Sequence, residues 1–278
     1  MPTLVELLSL SGRTAVVTGG GAGLGRATVL RLAESGATVA VADLDPEAAT
    51  EVAAEVVGSG GSAFPVPLDA TDPESSTRAA EQVVSRTGRL DVWVNNAGVY
   101  RMAALLGPVD EVWNLTMDLN VRGVLAGARA AARAMVAAGS GGCVVNIDSI
   151  AGTRAGHPSM TAYAASKAAV RSLTTNLAAA LGPHGIRVVG VAPGVAMTGT
   201  MVSHIGVLDS ARAGVAERGA RLPLGRFAEP DDIARMVVVL ASDLASYVTG
   251  ATLGVDGGDG TGGGGPVPLE VLGVAPTR

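Results

Sequence analysis

Tyr163 and Lys167 are the two residues of this chain whose types and spacing most directly indicate chemistry. They stand four residues apart in Tyr163-Ala-Ala-Ser-Lys167, so on a helix the lysine lies on the same face, one turn further on. Lys167 is the only lysine, beside 19 arginines. An ammonium is a compact charge whose pKa can change, whereas a guanidinium stays protonated. A nearby positive charge lowers the pKa of a phenol from about 10. The two residues are therefore a candidate proton-transfer unit, and the alternative is a chance pair on a solvated helix face.

A glycine-rich loop near the start of the chain predicts a dinucleotide site. The segment Gly19–Gly25 follows an apolar run at Thr14–Thr18, and a helical pattern follows the loop. Glycines at this point allow a tight turn and a close approach of the backbone to a pyrophosphate. The N-terminus of the next helix offers free N–H groups and the positive end of its dipole. A glycine cluster between a first strand and a first helix is much stronger evidence than the cluster alone.

Asp43 predicts which nucleotide the loop would bind. It lies eighteen residues after Gly25, at the end of the second apolar run, where a carboxylate can accept hydrogen bonds from the adenosine ribose. The same carboxylate would repel a 2′-phosphate. No basic residue stands between Gly19 and Leu24, and Arg26 is expected to point elsewhere. Both features favour NAD over NADP, and the alternative is that Asp43 is an ordinary turn residue.

Apolar runs alternate with helical patterns along the chain, which predicts an α/β fold. The sequence indicates a single-domain Rossmann fold, in which a doubly wound parallel sheet of about seven strands is flanked by helices. The predicted strands are Thr14–Thr18, Thr38–Ala42, Ala63–Leu68, Val92–Asn95, Cys143–Ile147, Arg187–Ala192 and Thr252–Val255. The predicted helices are Gly25–Ser35, Pro46–Val57, Pro73–Thr87, Val109–Ala138, Thr161–Leu181 and Pro230–Leu240.

Composition narrows the classes of partner. The chain has 278 residues, of which 48% are hydrophobic and 16% charged, as in a protein with a large buried core. The net charge of −5 argues against nucleic acid or an anionic membrane as the main partner. The single cysteine, Cys143, excludes an intrachain disulfide and is expected to be a small buried hydrophobe. Neither a signal peptide nor a membrane-spanning run is evident, so a cytoplasmic protein is expected.

Several motifs together resemble the short-chain dehydrogenases/reductases. They are Thr18-Gly19-x-x-x-Gly23-x-Gly25, Asn95-Asn96-Ala97-Gly98, Ser149, Tyr163-x-x-x-Lys167 and Pro193-Gly194. They occur in the order and approximate spacing of that family, and the resemblance runs from about Gly12 to Gly258. It implies one Rossmann-type domain over residues 1–258, with a substrate lid at about 199–222. Residues 259–278 form a Gly/Pro-rich tail, either flexible or processed, or an arm that packs on a neighbouring subunit.

The resemblance implies a role for each of four catalytic residues. Tyr163 would be the acid/base that removes the hydroxyl proton in oxidation or donates a proton to a carbonyl in reduction. Lys167 would lower the pKa of Tyr163 and hold the nicotinamide ribose. Ser149 would hydrogen-bond the substrate oxygen, and Asn120 would bind a water that links Lys167 to solvent. This assignment suits the chemistry, since hydride can leave the substrate carbon only as the hydroxyl proton departs.

The cofactor contacts are also carried over position by position. The implied set is Gly19, Gly23, Leu24, Gly25, Asp43, Asp69, Ala70, Asn96, Ala97, Gly98, Tyr163, Lys167, Pro193, Gly194, Val195 and Thr198. Asn95 and Asp256 are expected to stabilise turns and not to touch the ligand. The three histidines have no spacing that suggests a metal site, so no metal is expected.

Two positions depart from the family pattern. The stretch from Ser149 to Tyr163 is one residue longer than the commonest spacing, so the loop Ile150–Ala162 carries an insertion. Asp148 stands where the family usually has a small residue, often serine. Its carboxylate is expected to point away from the site, on the alternate face of the strand. If it instead points inward, it would repel anionic substrates and change the pKa values of the site.

The substrate and the assembly are less closely defined. The lid, Gly199–Leu222, contains several apolar residues and His204, which suits a small apolar or cyclic alcohol, although simple helix packing would explain them equally well. Arg101, Arg154 and His157 could instead meet a carboxylate or a phosphate. The resemblance implies a homotetramer in which the helices Val109–Ala138 and Thr161–Leu181 form one interface.

Three functions remain open from the sequence. The leading one is an NAD-dependent oxidoreductase that interconverts a secondary alcohol and a ketone. The second is an NADPH-linked 3-oxoacyl or polyketide ketoreductase, against which Asp43 argues. The third is a nucleotide-sensing protein without catalysis on the same fold, against which the intact set of Asn120, Ser149, Tyr163 and Lys167 argues.

Overall fold

A computed structural model describes residues 1–154, 158–198, 217 and 219–261. In these parts of the chain, seven parallel strands form one sheet in the order β3-β2-β1-β4-β5-β6-β7. The strands are β1 (Thr14–Thr18), β2 (Thr38–Asp43), β3 (Ser62–Pro67), β4 (Val92–Asn95), β5 (Gly142–Ile147), β6 (Ile186–Pro193) and β7 (Thr252–Val255). The predicted fold class is confirmed, and no predicted strand is missing from the sheet.

The strand order reverses between β1 and β4, and this reversal locates the functional crevice. From β1 the chain builds outward to β3, then returns to place β4 on the other side of β1 and continues to β7. In open α/β sheets, ligands bind at the carboxyl ends of the strands beside such a reversal. The loops that follow β1, β2, β4, β5 and β6 all reach this edge, and they carry the predicted site residues.

The sheet is buried on both faces, which explains its continuous apolar strands. Val17 and Val39 belong to a core cluster on one face of the sheet, and Val16 and Ala40 belong to a second cluster on the other. All five residues of β1 are buried. Aromatic side chains are scarce, so valine and alanine fill most of the space between the sheet and its helices.

The flanking helices agree closely with the prediction. They are α1 (Leu4–Leu8), α2 (Gly23–Glu34), α3 (Pro46–Gly58), α4 (Pro73–Thr87), α5 (Asp110–Met117), α6 (Gly123–Ala138), α7 (Thr161–Leu181) and α8 (Pro230–Ala241). Asp45 and Asp72 cap α3 and α4 through their side chains, and each is followed by proline in the first turn. These caps satisfy N–H groups that a helix start leaves free, which is why the acidic residue and proline marked both boundaries.

Two features of the helices differ from the prediction. The single helix predicted over Val109–Ala138 is wrong, because a π-helical turn at Asp118–Arg122 separates α5 from α6. The backbone stays helical through such a turn, so a continuous helical pattern in the sequence does not reveal where it lies. The short helix α1 was not predicted, although Thr3 and Glu6 form a capping box that its sequence spacing matches.

A chain of buried polar side chains joins the centre of the sheet to α7. The Trp93 indole donates to Asn95 Oδ1 at 2.8 Å, and Asn95 Nδ2 donates to Asn146 Oδ1 at 2.9 Å. Asn146 Nδ2 in turn donates to Thr174 Oγ1 on α7 at 3.0 Å. Asn95 was expected to stabilise a turn. It instead lies within this core network, which fixes α7 against β4 and β5.

Replacing Asn146 with alanine is expected to destabilise the fold. The change leaves the Asn95 amide and the Thr174 hydroxyl without their central partner, and each unsatisfied buried group costs about 1–3 kcal/mol. We expect the free energy of unfolding to fall by about 2–3 kcal/mol and the melting temperature by roughly 5–10 °C in thermal denaturation. Asn176→Ala is the matched control, because Asn176 lies exposed on α7, the helix that carries Thr174. An equal loss of stability in both variants would contradict the importance of the network.

Candidate active site

Tyr163 and Lys167 lie on one face of α7, as the four-residue spacing predicted. The Lys167 ammonium donates to the Ile147 carbonyl at the end of β5, with a distance of 2.7 Å. The same nitrogen lies 5.7 Å from the centroid of the Tyr163 ring. Only 6% of Lys167 is exposed. The lysine is therefore held by the sheet in a fixed position beside the tyrosine.

Ser149 completes the group of catalytic candidates. It follows β5 after one intervening residue, and it lies beside Tyr163, where a hydrogen bond from its hydroxyl would stabilise the phenolate. Ser149 Oγ also accepts from the Ala151 N–H at 3.2 Å, which orients the serine at the start of a short 3-10 turn. The ring of Tyr100 packs edge-on against Tyr163, with 5.0 Å between the centroids. The two hydroxyls therefore converge at one point of the crevice.

Burial changes the pKa values of both members of the pair. It raises the pKa of Tyr163 above its ordinary value of 10.0, and although the hydrogen bond with Ser149 opposes this, the charges of Asp148 and Tyr100 add to it. Burial also lowers the pKa of Lys167 to about 8. Desolvation of the phenolate is the largest of these effects, so the folded chain by itself does not lower the pKa of Tyr163, and the lowering by Lys167 stays a prediction. Both changes favour the neutral forms and bring the proton of Lys167 within reach of ordinary working pH.

Asn120 connects the loop after β4 to the start of α7. Its Oδ1 accepts from the Val99 N–H at 2.8 Å, and its Nδ2 donates to the Val99 carbonyl at 3.0 Å and to Ser166 Oγ at 3.1 Å. Ser166 in turn donates to the Tyr163 carbonyl at 2.7 Å. Both amide hydrogens of Asn120 are thus engaged by the protein. The relay water that the resemblance implies stays a prediction, and it would have to use the remaining lone pair of Oδ1 or the backbone carbonyl.

The glycine loop fits a pyrophosphate at the start of α2. Gly19 and Gly23 have φ values of +63° and +54°, a left-handed backbone that favours glycine. A Cβ on Gly25 would lie 1.9 Å from the Gly19 carbonyl oxygen, and one on Gly21 would lie 2.8 Å from Ala48 Cβ. Unlike α3 and α4, α2 has no side chain from the described residues bonded to its first N–H groups. The loop therefore leaves backbone donors open at a positive helix end.

Asp43 stands beside this loop, where the predicted ribose contact requires it. Its Oδ2 accepts from the Gly21 N–H at 2.8 Å, and its Oδ1 accepts from the Asp45 N–H at 3.0 Å. Arg26 points away from the crevice, because its guanidinium binds Glu55 on α3, with 2.9 Å between Nε and Oε2. The carboxylate is thus oriented by two backbone donors and keeps free lone pairs for a ligand.

Asn96, Ala97 and their neighbours hold the glycine loop in place. Asn96 Nδ2 donates to the Thr18 carbonyl at 2.9 Å and to the Gly19 carbonyl at 3.0 Å. The backbone N–H groups of Asn96 and Ala97 both donate to Thr18 Oγ1, each at 3.0 Å. The side chain of Asn96 is therefore committed to positioning the loop. A Cβ on Gly98 would lie 3.0 Å from Asn120 Oδ1, so glycine is needed where the two segments meet.

The remaining predicted cofactor residues flank the crevice on both sides. Asp69 closes its own turn, since Oδ1 accepts from the backbone N–H and the hydroxyl of Thr71. A cavity of about 380 Å³ opens here, lined by Leu44, Pro67, Leu68, Asp69, Ser75, Arg78, Ala79 and Gln82. Ala70 is buried beside Gly123, where an added Cβ would lie 2.7 Å from the Ala70 carbonyl oxygen.

On the other side, the segment after β6 reaches the glycine loop. Thr198 Cγ2 lies 3.5 Å from where a Cβ on Gly23 would stand. The Gly194 N–H donates to the Val255 carbonyl at 3.1 Å, and the Ala228 N–H donates to the Val195 carbonyl at 3.0 Å. Pro193 ends β6 directly before this segment. Asp256 closes a turn, as predicted, by accepting from the N–H groups of Gly258 and Gly260.

Arg154 has a different role from the one considered for it. Its guanidinium binds the carboxylate of Asp259, with 2.6 Å between Nη2 and Oδ1, and it also binds the Asp259 carbonyl. The idea that Arg154 meets a substrate anion stays a prediction, and a substrate would have to compete with Asp259 for the guanidinium. The pair joins the inserted loop after Ser149 to a 3-10 turn at Asp259–Thr261, directly after the last strand. Sequence reasoning missed this contact, since the partners are far apart in the chain.

Some predicted features lie outside the described residues. They are His157, most of the lid with Met201, Val202, His204, Ile205, Val207 and Leu208, and the tail from residue 262 onward. Within the described ranges, no cluster of histidine, cysteine or acidic residues could hold a metal ion. No helix in that part of the chain is both long and apolar enough to cross a bilayer.

Comparison with known proteins identifies the family to which this chain is similar. The family profile described as enoyl-(acyl carrier protein) reductase matches residues 19–259. The 3-oxoacyl-(acyl-carrier-protein) reductase FabG of Thermotoga maritima is 38% identical over 90% of this chain and 99% of that protein. The family match spans the glycine loop, Ser149, Tyr163 and Lys167.

Two solved structures share the fold over nearly their whole length. A 7α-hydroxysteroid dehydrogenase complexed with NADH and 7-oxo glycochenodeoxycholic acid gives a TM-score of 0.84 with 33% identity, over 93% of this chain and 98% of that one. A gluconate 5-dehydrogenase from Burkholderia cenocepacia in complex with NADP and tartrate gives 0.83 with 33% identity, over 92% and 98%. The chain belongs to the short-chain dehydrogenase/reductase family, and it is an oxidoreductase that acts on alcohols or ketones with a nicotinamide cofactor.

Proposed function

We propose that this protein is an NAD(H)-dependent oxidoreductase that interconverts a secondary alcohol and a ketone, with Tyr163 as the acid/base. The observation that carries the proposal is the placement of Ser149 beside Tyr163, with Lys167 fixed next to Tyr163 on the Ile147 carbonyl. A substrate oxygen at this point would meet both hydroxyls at once. Proton transfer and stabilisation of the developing charge would then occur at the same atom.

Each residue has a defined task in this reaction. In the oxidation, Tyr163 starts as the phenolate and takes the proton of the substrate hydroxyl, and Ser149 donates a hydrogen bond to the oxygen as its charge grows. In the reduction, Tyr163 returns that proton to the carbonyl oxygen. Lys167 holds a positive charge near the phenolate of Tyr163. Asn120 holds the start of α7 in position through its hydrogen bond to Ser166. When bound, the nicotinamide cofactor supplies the hydride acceptor or donor.

The proposed cofactor is NAD, because of the groups around the first two strands. Asp43 offers a carboxylate to the ribose hydroxyls, and Arg26 is engaged by Glu55 and so is withdrawn from a 2′-phosphate. Solved relatives bind NADH in one case and NADP in another, so the proposal rests on Asp43 itself. The full set proposed to hold the cofactor is Gly19, Gly23, Leu24, Gly25, Asp43, Asp69, Ala70, Asn96, Ala97, Gly98, Tyr163, Lys167, Pro193, Gly194, Val195 and Thr198.

The proposed substrate is an apolar or cyclic alcohol or its ketone. Tyr100 and Met102 are 45% and 53% exposed on the loop after β4, and the ring of Tyr100 packs against Tyr163. This loop is tied to the entrance of α7, since the Ala103 N–H donates to the Ser159 carbonyl at 3.0 Å. Arg154 is paired with Asp259, so it does not offer an anion site. The hydroxysteroid dehydrogenase relative, which was solved with a polycyclic ketone, supports the same class of substrate.

The assembly and location belong to the same proposal. The resemblance implies a cytoplasmic homotetramer, and Trp113 and Leu115 on α5 are large apolar side chains that the single chain leaves partly exposed. Their burial between subunits would account for this exposure. Sedimentation of the purified protein would test the tetramer.

A second candidate is an NADPH-linked 3-oxoacyl ketoreductase. The specific observation in its favour is the 38% identity with the Thermotoga maritima reductase over 90% of this chain. Asp43 opposes it, because a carboxylate there repels the 2′-phosphate of NADPH.

One assay separates these functions. The protein is incubated with NAD⁺ or NADP⁺ and a panel of acyclic and cyclic secondary alcohols, and separately with NADPH and 3-oxoacyl thioesters, while reduced nicotinamide is followed by absorbance. We expect turnover of apolar or cyclic alcohols with NAD⁺ and its loss in Lys167→Arg, since a guanidinium keeps its proton and its shape does not fit the lysine site. Turnover with NADPH and thioesters alone would favour the ketoreductase. Measurable NADH binding without turnover on any substrate would favour a nucleotide sensor.

A further inference from the structure

Asp148 occupies an unusual position between two parts of the site. It follows Ile147, whose carbonyl holds Lys167, and it precedes Ser149. Its side chain reaches α7, where Oδ2 accepts a hydrogen bond from Arg171 Nε at 3.0 Å. The same oxygen lies 2.9 Å from Arg171 Nη2. Arg171 is one helical turn beyond Lys167. The prediction that Asp148 lies away from the site is therefore incomplete, since its carboxylate turns towards the helix that carries the catalytic pair.

The burial of this carboxylate is poorly compensated. Asp148 is 1% exposed, and its Oδ1 has no hydrogen-bond partner among the residues that the structure describes. The other buried aspartate–arginine pair contrasts with it, because both oxygens of Asp91 are bonded, to Arg89 and to the Thr14 N–H. An incompletely satisfied buried charge is costly, and apolar residues would join a strand to a helix more cheaply. The charge of Asp148 thus calls for a role other than joining the two elements.

We propose that Asp148 is a positioning residue whose buried negative charge, held in place by Arg171, sets the pH at which the Tyr163–Lys167 pair gives up its first proton. The inference rests on the proposed function, because it concerns the pH dependence of the same acid/base. Asp148 touches neither substrate nor cofactor in this role. It acts through the two residues that do.

The direction of the effect follows from the charges that surround the pair. Asp148 raises the pKa of Lys167 and that of Tyr163, since a negative charge favours the protonated form of both. The charged and titratable groups facing Asp148 are Arg171, Lys167 and Tyr163 on α7, and Tyr100 acts on Tyr163 from the loop after β4. Whichever of the two residues releases the first proton, removal of the Asp148 charge makes that release easier.

The test is the pH profile of kcat/KM for alcohol oxidation in Asp148→Asn. We expect its acid limb to move to lower pH by about one pH unit, a size that the loss of one nearby charge produces in a partly screened interior. Asp148→Ser, which introduces the residue type expected from the family, should give the same displacement and serves if the asparagine variant does not fold. Arg171→Lys should leave the acid limb at the pH of the wild-type protein, because an ammonium can still pair with the carboxylate.

Two further measurements keep the inference separate from the proposed function. Asp91→Asn alters the other buried aspartate–arginine pair, which lies at the amino end of β4, and should lower stability without moving the acid limb. Tyrosinate absorbance titrates Tyr163 without any turnover, because the chain has three tyrosines and Tyr163→Phe identifies the contribution of one. We expect its midpoint to fall in Asp148→Asn. An unchanged limb and an unchanged midpoint, with only a loss of stability, would overturn the inference and leave Asp148 as a structural anchor.

Discussion

Tyr163→Phe is expected to lower kcat/KM for alcohol oxidation by about 10²–10⁴-fold, the usual contribution of a positioned acid/base. The substitution removes one oxygen and leaves the ring, so the edge-on contact with Tyr100 and the packing of α7 are kept. Without the phenol, the substrate proton has no acceptor beside Ser149. Steady-state kinetics with the best alcohol from the panel would measure the loss, and quenching of protein fluorescence would show that NADH still binds.

The control for this prediction is Tyr247→Phe, which removes the same atom from a tyrosine that is fully exposed and lies just before β7. It should keep wild-type kinetics. A Tyr163→Phe variant that retains most of its activity would mean that another group moves the proton, and the assignment of Tyr163 would then fail.

Asp43→Ala combined with Leu44→Arg is expected to reverse the cofactor preference. Loss of a hydrogen bond to a charged group costs about 1.5–3 kcal/mol, which is roughly 10–150-fold in kcat/KM with NAD⁺. Removing the carboxylate also ends the repulsion of a 2′-phosphate, and an arginine at the exposed position 44 can pair with that phosphate. The ratio of kcat/KM for NADP⁺ to that for NAD⁺ should therefore rise by a larger factor than the one by which kcat/KM for NAD⁺ falls.

Asp45→Ala is the matched control for this exchange. Asp45 caps α3 by accepting from the N–H groups of Glu47 and Ala48, so its loss should reduce stability by about 1 kcal/mol. It should leave the cofactor ratio unchanged. If the wild-type protein already prefers NADP⁺, the proposal that Asp43 selects NAD is contradicted before any variant is made.

The parts of the fold that the sequence predicted well are those marked by local signals. Pro73 and the preceding aspartate define the start of α4, and the valine-rich run at Thr14–Thr18 defines β1, because each signal acts on neighbouring residues. The same holds for Tyr163 and Lys167, whose spacing places them on one helix face. Glycines between a strand and a helix likewise predicted the tight turn that joins β1 to α2.

The parts that escaped prediction depend on contacts between distant segments. The π-helical turn around Asn120 coincides with that residue's hydrogen bonds to Val99, a partner 21 positions away. The pairing of Arg154 with Asp259 spans 105 positions. The rise in the pKa of Tyr163 depends on how completely the folded chain excludes water from its hydroxyl. Local sequence carries none of this information, so spacing identified the catalytic candidates but not how burial changes their pKa values.

Lys167 has a practical consequence, because it is the sole lysine and lies buried. Amine-directed reagents have only this side chain and the chain's amino terminus to modify. Reductive methylation with an isotope label would therefore give a magnetic resonance signal from the active site without further substitution. The same scarcity makes amine cross-linkers nearly blind to contacts between subunits, so a negative cross-linking result would carry no information about assembly.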